Sequence, residues 1–457
     1  MTAGLASDLR QLLPREQVLD STEDRFLYAY DATSTKAVPD VVVLARSAQD
    51  VSAVMKYATE HGVPVVPRGA GSGLSGGAVP AKGGIALSLA PMNRIKEIDL
   101  ANMVAVVEPG VIVGDLQKAA DEAGVYYPPD PGSQAYCTIG GSIAENAGGM
   151  HCLKYGVTKD YVMGLEVVLP NGDIVHLGGK QIKNVTGYNL VQLFVGSEGT
   201  LGVITEAILK LIPKPRAKKT MLAIFDQLDT AAEAVTGILH AGVIPAALEI
   251  MDNRSIVAVE DHLHLGLPRD AEAILLIEAD GMPEAVEAEA ATIERVCRDV
   301  GVREFKTARN AQESNDLWKA RRAISPAISR LRPTKMGEDI SVPRSAIPEM
   351  VRRVQKIGDE FNLPIVIFGH AGDGNLHPNI LTDRRDAVEM ERVEKAIAAI
   401  FDAAVELGGT LSGEHGIGLS KQPFLGKALT PETINLMKTL KQALDPRGVL
   451  NPGKIWG

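Results

Sequence analysis

At 457 residues, with 45% hydrophobic and 23% charged side chains, the chain has ordinary globular composition and exceeds what one hydrophobic core usually serves. A formal net charge of −10, with no basic run beyond Lys214, Arg216, Lys218 and Lys219, argues against a nucleic-acid binder and against docking on an anionic membrane by charge. Cys137, Cys152 and Cys297 form no CxxC pair, so neither an iron–sulfur cluster nor a disulfide framework is expected.

The start, Met1-Thr2-Ala3-Gly4, lacks a charged-then-apolar signal pattern, and no apolar stretch is long enough to span a bilayer. The expected location is cytoplasmic, or peripheral to a membrane through a partner. Residues 1–36 are polar and predict helix. The first core strand is predicted at Val41-Val42-Val43-Leu44, then a helix from Ala48 to Glu60 and a strand at Val63–Pro67. Further apolar runs at 85–89, 103–107, 164–169 and 201–211, separated by glycine-rich turns, make this a mixed α+β domain rich in strands.

Composition changes at Pro213-Lys214-Pro215-Arg216. Beyond it strands are predicted near 221–225, 246–251, 273–279 and 303–306, with a helix at 284–300. Then come helix 313–330, strand 336–342, helix 345–361, strands 364–370 and 376–381, and helix 386–407. This rhythm fits an antiparallel sheet covered on one face by helices. The tail, Leu444 to Gly457, with Asp445-Pro446 and Asn451-Pro452-Gly453, reads as an ordered, packed loop. The expected organisation is a domain over 1–215, completed by 420–457, and a second domain over 216–419.

The 45 glycines cluster. The densest group, Pro67-Arg68-Gly69-Ala70-Gly71-Ser72-Gly73-Leu74-Ser75-Gly76-Gly77, contains a GxGxxG match. Pro80 and Gly83-Gly84 follow too soon for the helix that a doubly wound dinucleotide site needs. A nest of backbone N–H groups around a pyrophosphate is the better reading than a mobile Gly/Ser loop. Pro131-Gly132-Ser133, Thr138-Ile139-Gly140-Gly141-Ser142 and Asn146-Ala147-Gly148-Gly149 follow, then Gly196 to Thr205, with Gly202, Val203 and Ile204. All lie at ends of apolar strands, which suggests one long ligand laid across several loops.

In the second half, Phe368-Gly369-His370-Ala371-Gly372-Asp373-Gly374-Asn375-Leu376-His377 reads as a hairpin turning at Asp-Gly. With a two-residue turn, His370 faces His377 directly, about 5 Å apart at Cβ, as if to clasp one metal ion. Glu414, in Ser412-Gly413-Glu414-His415-Gly416, is the third candidate ligand. Two His and one carboxylate around an open position is a catalytic metal arrangement. The bland alternative is two core histidines and a loop acid.

The segments PRGAGSGLSGG, PPDPGS, TIGGSIAENAGG and GSEGTLGVIT resemble the FAD-binding half of the vanillyl-alcohol oxidase superfamily. More narrowly, they resemble the group of glycolate oxidase catalytic subunits, D-lactate dehydrogenases and D-2-hydroxyglutarate dehydrogenases. The likeness runs from about residue 38 to the C-terminus. It implies a two-domain fold, an FAD-binding domain plus an antiparallel-sheet substrate (cap) domain. It places the FAD pyrophosphate on Arg68, Gly69, Ala70, Gly71, Ser72 and Gly73, the ring near 131–149 and 196–204, and a contact at Asn451. Some members of the superfamily tether FAD through a His in the first loop. Ser72 and the absence of His there imply a noncovalent flavin.

The same resemblance implies that His370, His377 and Glu414 bind a divalent metal, zinc first, with manganese or iron as alternatives, and that His415 is the catalytic base. Asn375 would touch substrate or the ligand shell. Trp318-Lys319-Ala320-Arg321 looks like the family's Trp-x-x-Arg element, making Arg321 the grip on the substrate carboxylate, with Arg322 the neighbour to weigh against it. The implied reaction is oxidation of a small D-2-hydroxy acid, glycolate or D-lactate, to the 2-oxo acid. Imidazole suits proton removal near neutral pH, and flavin N5 takes the hydride. D-2-Hydroxyglutarate is the alternative substrate, with Lys335 the candidate second cation. A noncatalytic flavin relay subunit, an ether-lipid transferase and a sugar-type oxidase are the competing readings, and the metal trio argues against all three. Electrons must leave to oxygen, an iron–sulfur or flavin subunit, electron-transfer flavoprotein or quinone. A homodimer is compatible with these features.

Overall fold

The computed structural model describes residues 2–456. The chain divides into two compact units. One comprises the chain up to Gly148, Val157–Lys214 and the chain from Glu414 onward; the other comprises Gly149–Gly156 and Pro215–Gly413. The return to the first unit thus comes at Glu414, earlier than the expected 420, and a short excursion at 149–156 belongs to the second unit.

The first unit holds two larger sheets. In the four-stranded one, Val41–Leu44, Ile85–Ser88 and Val65–Arg68 run parallel, with Ile85–Ser88 in the middle, and Val18–Leu19 adds an antiparallel edge. The run Val41-Val42-Val43 is apolar throughout because a parallel strand is buried on both faces. Helix Ala48–His61 makes the crossover. Ser47 caps it by accepting from the Asp50 amide at 3.1 Å, and Val51, Val54, Met55 and Ala58 recur at helical spacing to fill the core under the sheet. Each fully buried side chain of the Val or Met kind stabilises by about 1.5–3 kcal/mol. The pair Val18–Leu19 interrupts what the polar composition predicts as helix.

The five-stranded sheet is antiparallel, in the order Ile95–Asp99, Val104–Val107, Val203–Lys210, Val162–Val168, Ile174–Gly178. Its two edge strands have no counterpart among the sequence expectations. Edge strands are half solvated, and Lys96 and Glu97 break the apolar pattern there.

In the second unit one large sheet runs in the order Glu304–Thr307, Ala217–Phe225, Ala273–Gly281, Ala247–Asp252, Ile365–His370, Asn375–Thr382, Thr334–Gly337, every pairing antiparallel. Leu222, Ile224, Met251 and Ile274 pack with Ile256, Val259, Trp318 and Ile324 from helices on one face. Met221, Ala223 and Phe225, of the alternate register, are equally buried, and helices Leu228–His240 and Pro283–Asp299 touch these strands. Both faces are covered, not one.

Candidate active site

In the first unit the glycine segments converge. Arg68 ends its strand buried, and its Nη1 donates to the Tyr30 carbonyl at 2.6 Å. The guanidinium folds back over Gly71, whose φ of +69° and crowded α-carbon favour glycine. A Cβ at Gly69 would collide with Thr138, so the first and second glycine segments are in direct contact. Thr138 in turn caps helix Ile139–Glu145, accepting from the Gly141 amide at 3.3 Å. No helix opens on the GxGxxG match at 71–76; the chain runs in turns to the strand at Ile85. Ala70 and Thr138 line a cavity of about 200 Å³ with Gly110, Val111, Ile112 and Asp115. The Pro109-Gly110-Val111 turn was absent from the sequence expectations, though a Pro-Gly after an apolar strand is the signal that marks it.

Pro131, Gly132 and Ser133 form a turn in which the Pro131 carbonyl accepts from the Gln134 amide at 2.8 Å and the Ser133 carbonyl accepts from Cys137 at 2.9 Å. Gly140 is buried against Pro109, and the Ser142 hydroxyl meets Cys137 Sγ at 3.8 Å. Asn146 takes a left-handed conformation, its Oδ1 accepting from the Lys159 amide at 2.9 Å. Gly148 belongs to the first unit and Gly149 to the second. Gly202 packs on Val167 and Phe194, and Val203 and Ile204 begin a buried strand. Ser72 lies partly exposed in the first loop, and the Gly73 carbonyl accepts from Ala32 at 3.1 Å.

Asn451 stitches two of these loops. Its Nδ2 donates to the carbonyls of Gly77 and Glu198, at 3.1 and 2.7 Å. Glu198 reaches the other way, its carboxylate accepting from the Ile417 and Gly418 amides at 2.9 and 2.7 Å. Burial pushes the Glu198 carboxyl up. It pushes Glu145 well up too, and the Glu198 charge adds to that. In the same unit His415 Nε2 lies 3.9 Å from Glu414 Oε1.

In the second unit the hairpin differs from the expected one. His370 stands opposite Asn375, and His377 opposite Phe368. The connection is four residues long, Ala371–Gly374: the His370 carbonyl accepts from the Asp373 and Gly374 amides at 3.2 and 3.1 Å, and the Leu248 carbonyl in the neighbouring strand accepts from the Gly372 amide at 3.1 Å. Gly374, at φ +88° and tight against the Val342 carbonyl, makes the turn. The expected register is therefore out by two residues. A shift of two preserves side-chain parity, so both imidazoles still share one face, as diagonal neighbours. Their ring centroids are 5.2 Å apart and the planes nearly perpendicular, at 87°.

Each imidazole has an acid behind it. Glu249 is fully buried; its Oε1 meets His370 Nδ1 at 2.7 Å, and its Oε2 accepts from Arg321 Nε at 2.7 Å. Burial works against the Glu249 charge, but His370 and Arg321 outweigh it and hold the carboxyl below its ordinary range. Asp339, also buried, lies 3.8 Å from His377 Nδ1 and accepts from Asn375 Nδ2 at 2.6 Å, Ser412 Oγ at 2.7 Å and the Gly413 amide at 2.9 Å. Two histidines on one face fit a divalent metal, whose histidine ligands commonly donate the other ring N–H to a carboxylate; His370 has that bond to Glu249, while Asp339 stands at ion-pair distance from His377. Neither acid was singled out in the sequence. The signal was there: Glu249 is an acid inside the apolar run Ala247-Leu248-Glu249-Ile250-Met251.

Arg321 is buried, ion-paired to Glu249 at 2.6 Å through Nη2, with its guanidinium over the Phe368 ring. Arg322 is exposed. Lys335 donates to Ser325 Oγ at 2.6 Å, and burial pushes its ammonium down from the usual lysine value.

Two family models match the chain: FAD binding domain over residues 39–178, and FAD linked oxidases, C-terminal domain, over residues 214–455. The chain is 49% identical over 457 residues to the glycolate oxidase subunit GlcD of Bacillus subtilis, covering 100% of this chain and 97% of that one. It is 37% identical over 467 residues to a D-lactate dehydrogenase of Anaerostipes hadrus, covering 100% and 98%. Among solved structures, p-cresol methylhydroxylase superposes with a TM-score of 0.83 at 20% identity, over 99% of this chain and 96% of the other, a likeness of fold.

Proposed function

The chain belongs to the FAD-linked oxidase family, and from that premise we propose that it oxidises a small D-2-hydroxy acid, glycolate or D-lactate, to the 2-oxo acid. It is an FAD-dependent oxidoreductase; the substrate class is the proposal. The observation that carries it is the pair of acid-backed imidazoles, His370 with Glu249 and His377 with Asp339, on one face of a hairpin in the oxidase C-terminal region.

The flavin cradle proposed is the contact between the loop 68–73 and the Thr138-capped helix, with 131–149 and 196–204 around the ring and Gly110 and Val111 added from the cavity they line. His370 and His377, with Glu414, are the proposed metal ligands; Glu414 is one peptide bond beyond Gly413, which Asp339 holds. When bound, the two groups supply a hydride acceptor and a Lewis acid at the substrate hydroxyl. His415 takes the hydroxyl proton on Nε2. Arg321 gives one edge of its guanidinium to Glu249 and offers the Nη1 side, which has no protein partner among the described residues, to the substrate carboxylate. Asn375 acts by holding Asp339 behind His377.

D-2-Hydroxyglutarate is the second reading, favoured by Lys335, a half-buried amine that could meet a distal carboxylate. Electrons leave to oxygen, a separate acceptor protein or quinone, since the three cysteines lie far apart in sequence. No helix of the described residues is long and apolar enough to cross a membrane; a cytoplasmic setting is part of this proposal. A panel of glycolate, D-lactate, L-lactate and D-2-hydroxyglutarate with an artificial dye acceptor tests it. Fast turnover of glycolate or D-lactate is expected, and activity confined to the dicarboxylate would select the second reading.

A further inference from the structure

Glu249 stands in mid-strand, directly opposite His370 in the neighbouring strand, and is fully buried. One carboxylate oxygen meets His370 Nδ1 at 2.7 Å; the other accepts from Arg321 Nε at 2.7 Å and lies 2.6 Å from Nη2 as an ion pair. Arg321 in turn lies over the Phe368 ring, 4.9 Å from its centroid, and Phe368 is the register partner of His377. A carboxylate paired with a guanidinium is ionised and can only accept hydrogen bonds. The hydrogen between Glu249 and His370 therefore sits on Nδ1, which leaves Nε2 as the ring atom that could meet a metal.

We propose that Glu249 is a positioning residue for two functional groups at once: it fixes His370 as the Nδ1–H tautomer with Nε2 turned to the metal, and it holds Arg321 in a fixed place beside that ligand. This rests on the proposed metal role of His370 and His377. One buried acid thus sets the spacing between a metal ligand and the cation that grips the substrate carboxylate. An isolated carboxylate in that strand would be costly to bury, and its two partners on separate elements are what make it tolerable.

The test is Glu249→Gln, which keeps shape and one acceptor but loses the charge. Zinc affinity of the yellow, folded variant, measured by competition with a chelating dye, is expected to fall 10–100-fold, the usual effect of removing a partner behind a ligand. KM should rise as well, because Arg321 loses its anchor, while FAD content stays at the wild-type level. A purely structural role would lower thermal stability and leave zinc affinity unchanged, and that outcome overturns the proposal. If the variant does not fold, the zinc-loaded wild type labelled with 15N-histidine decides. The His370 resonances should show a protonated Nδ1 and a metal-bound Nε2; the reverse pattern overturns the proposal. Wild-type enzyme that takes up no zinc or manganese would sink the metal reading itself, and this inference with it. Equal zinc affinity in wild type and variant would sink this inference alone.

Discussion

Asn451 donates its side-chain Nδ2 to the backbone carbonyl of Glu198 at 2.7 Å, joining the C-terminal tail to the third glycine segment. The same nitrogen reaches Gly77 at 3.1 Å, and the Asn451 amide donates to the Val65 carbonyl at 2.7 Å. Asn451 also adopts a left-handed backbone, which Asn tolerates better than most residues. Asn451→Ala should destabilise the protein by about 2–3 kcal/mol, since two buried carbonyls lose their donor and the backbone gains strain. FAD should bind more weakly. Thermal unfolding together with flavin retention through gel filtration checks this; unchanged behaviour in both would mean that the tail does not hold the loops.

Lys454 gives a pH-dependent counterpart. Its ammonium donates to the Val79 carbonyl, and burial pulls it down to about 8, with the Asp31 and Glu198 charges only partly opposing. In the unfolded chain a lysine titrates near 10.4. Between those values the unfolded state binds the extra proton, so this site makes stability rise with pH there. Above about 10.4 the gain is complete, and as pH falls through about 8 it is lost. Relative to Lys454→Met, wild-type stability should climb by up to about 3 kcal/mol from pH 8 to 10.4 and stay parallel below pH 7. Urea titrations at several pH values read this directly; a constant difference would mean that the lysine keeps an ordinary pKa.

The sequence carried the glycine segments because their residue types answer to backbone shape: Gly71 turns left-handed beneath Arg68, where a Cβ would press on the guanidinium. The hairpin was legible as a hairpin, and the two histidines as sharing a face. The register was not: the turn closes on the His370 carbonyl, and its Gly372 amide donates to Leu248, a residue more than 100 positions away. Glu249 and Asp339 were missed for a related reason: what makes a buried acid tolerable is partners from other strands and helices, such as Arg321 and Ser412. Arg321 itself was read as a free grip on substrate, whereas half of its guanidinium is committed within the protein.

The flavin should be released by denaturation. The first glycine loop offers Ser72 and no histidine from residue 67 to 77, so no imidazole in it can tether the isoalloxazine ring. Acid precipitation of the yellow protein should leave free FAD in the supernatant, identified by its fluorescence and mass. A yellow pellet would show a covalent link formed by some other residue.

The proposed metal ligands and the proposed base should separate in kinetics. His370→Ala and His377→Ala each remove one ligand of three and should lose both bound metal and turnover. The His370 change also deprives Glu249 of one of its two partners, so that variant should be less stable as well. His415→Asn should keep FAD and metal, since the proposed ligands are His370, His377 and Glu414, and should slow the chemical step by about 10²–10⁴-fold, the usual contribution of a general base. The slowing must appear when substrate bleaches the flavin anaerobically, where the electron acceptor plays no part. Strong chelation of the wild type should abolish that bleaching, and zinc or manganese should restore it. The two effects distinguish the roles: added metal should leave His415→Asn as slow as before, while it rescues the chelated wild type. A metal-free enzyme that bleaches its flavin at the normal rate would leave His415 as the sole proton acceptor and reduce His370 and His377 to structural residues, braced by Glu249 and Asp339 for the sake of the fold alone.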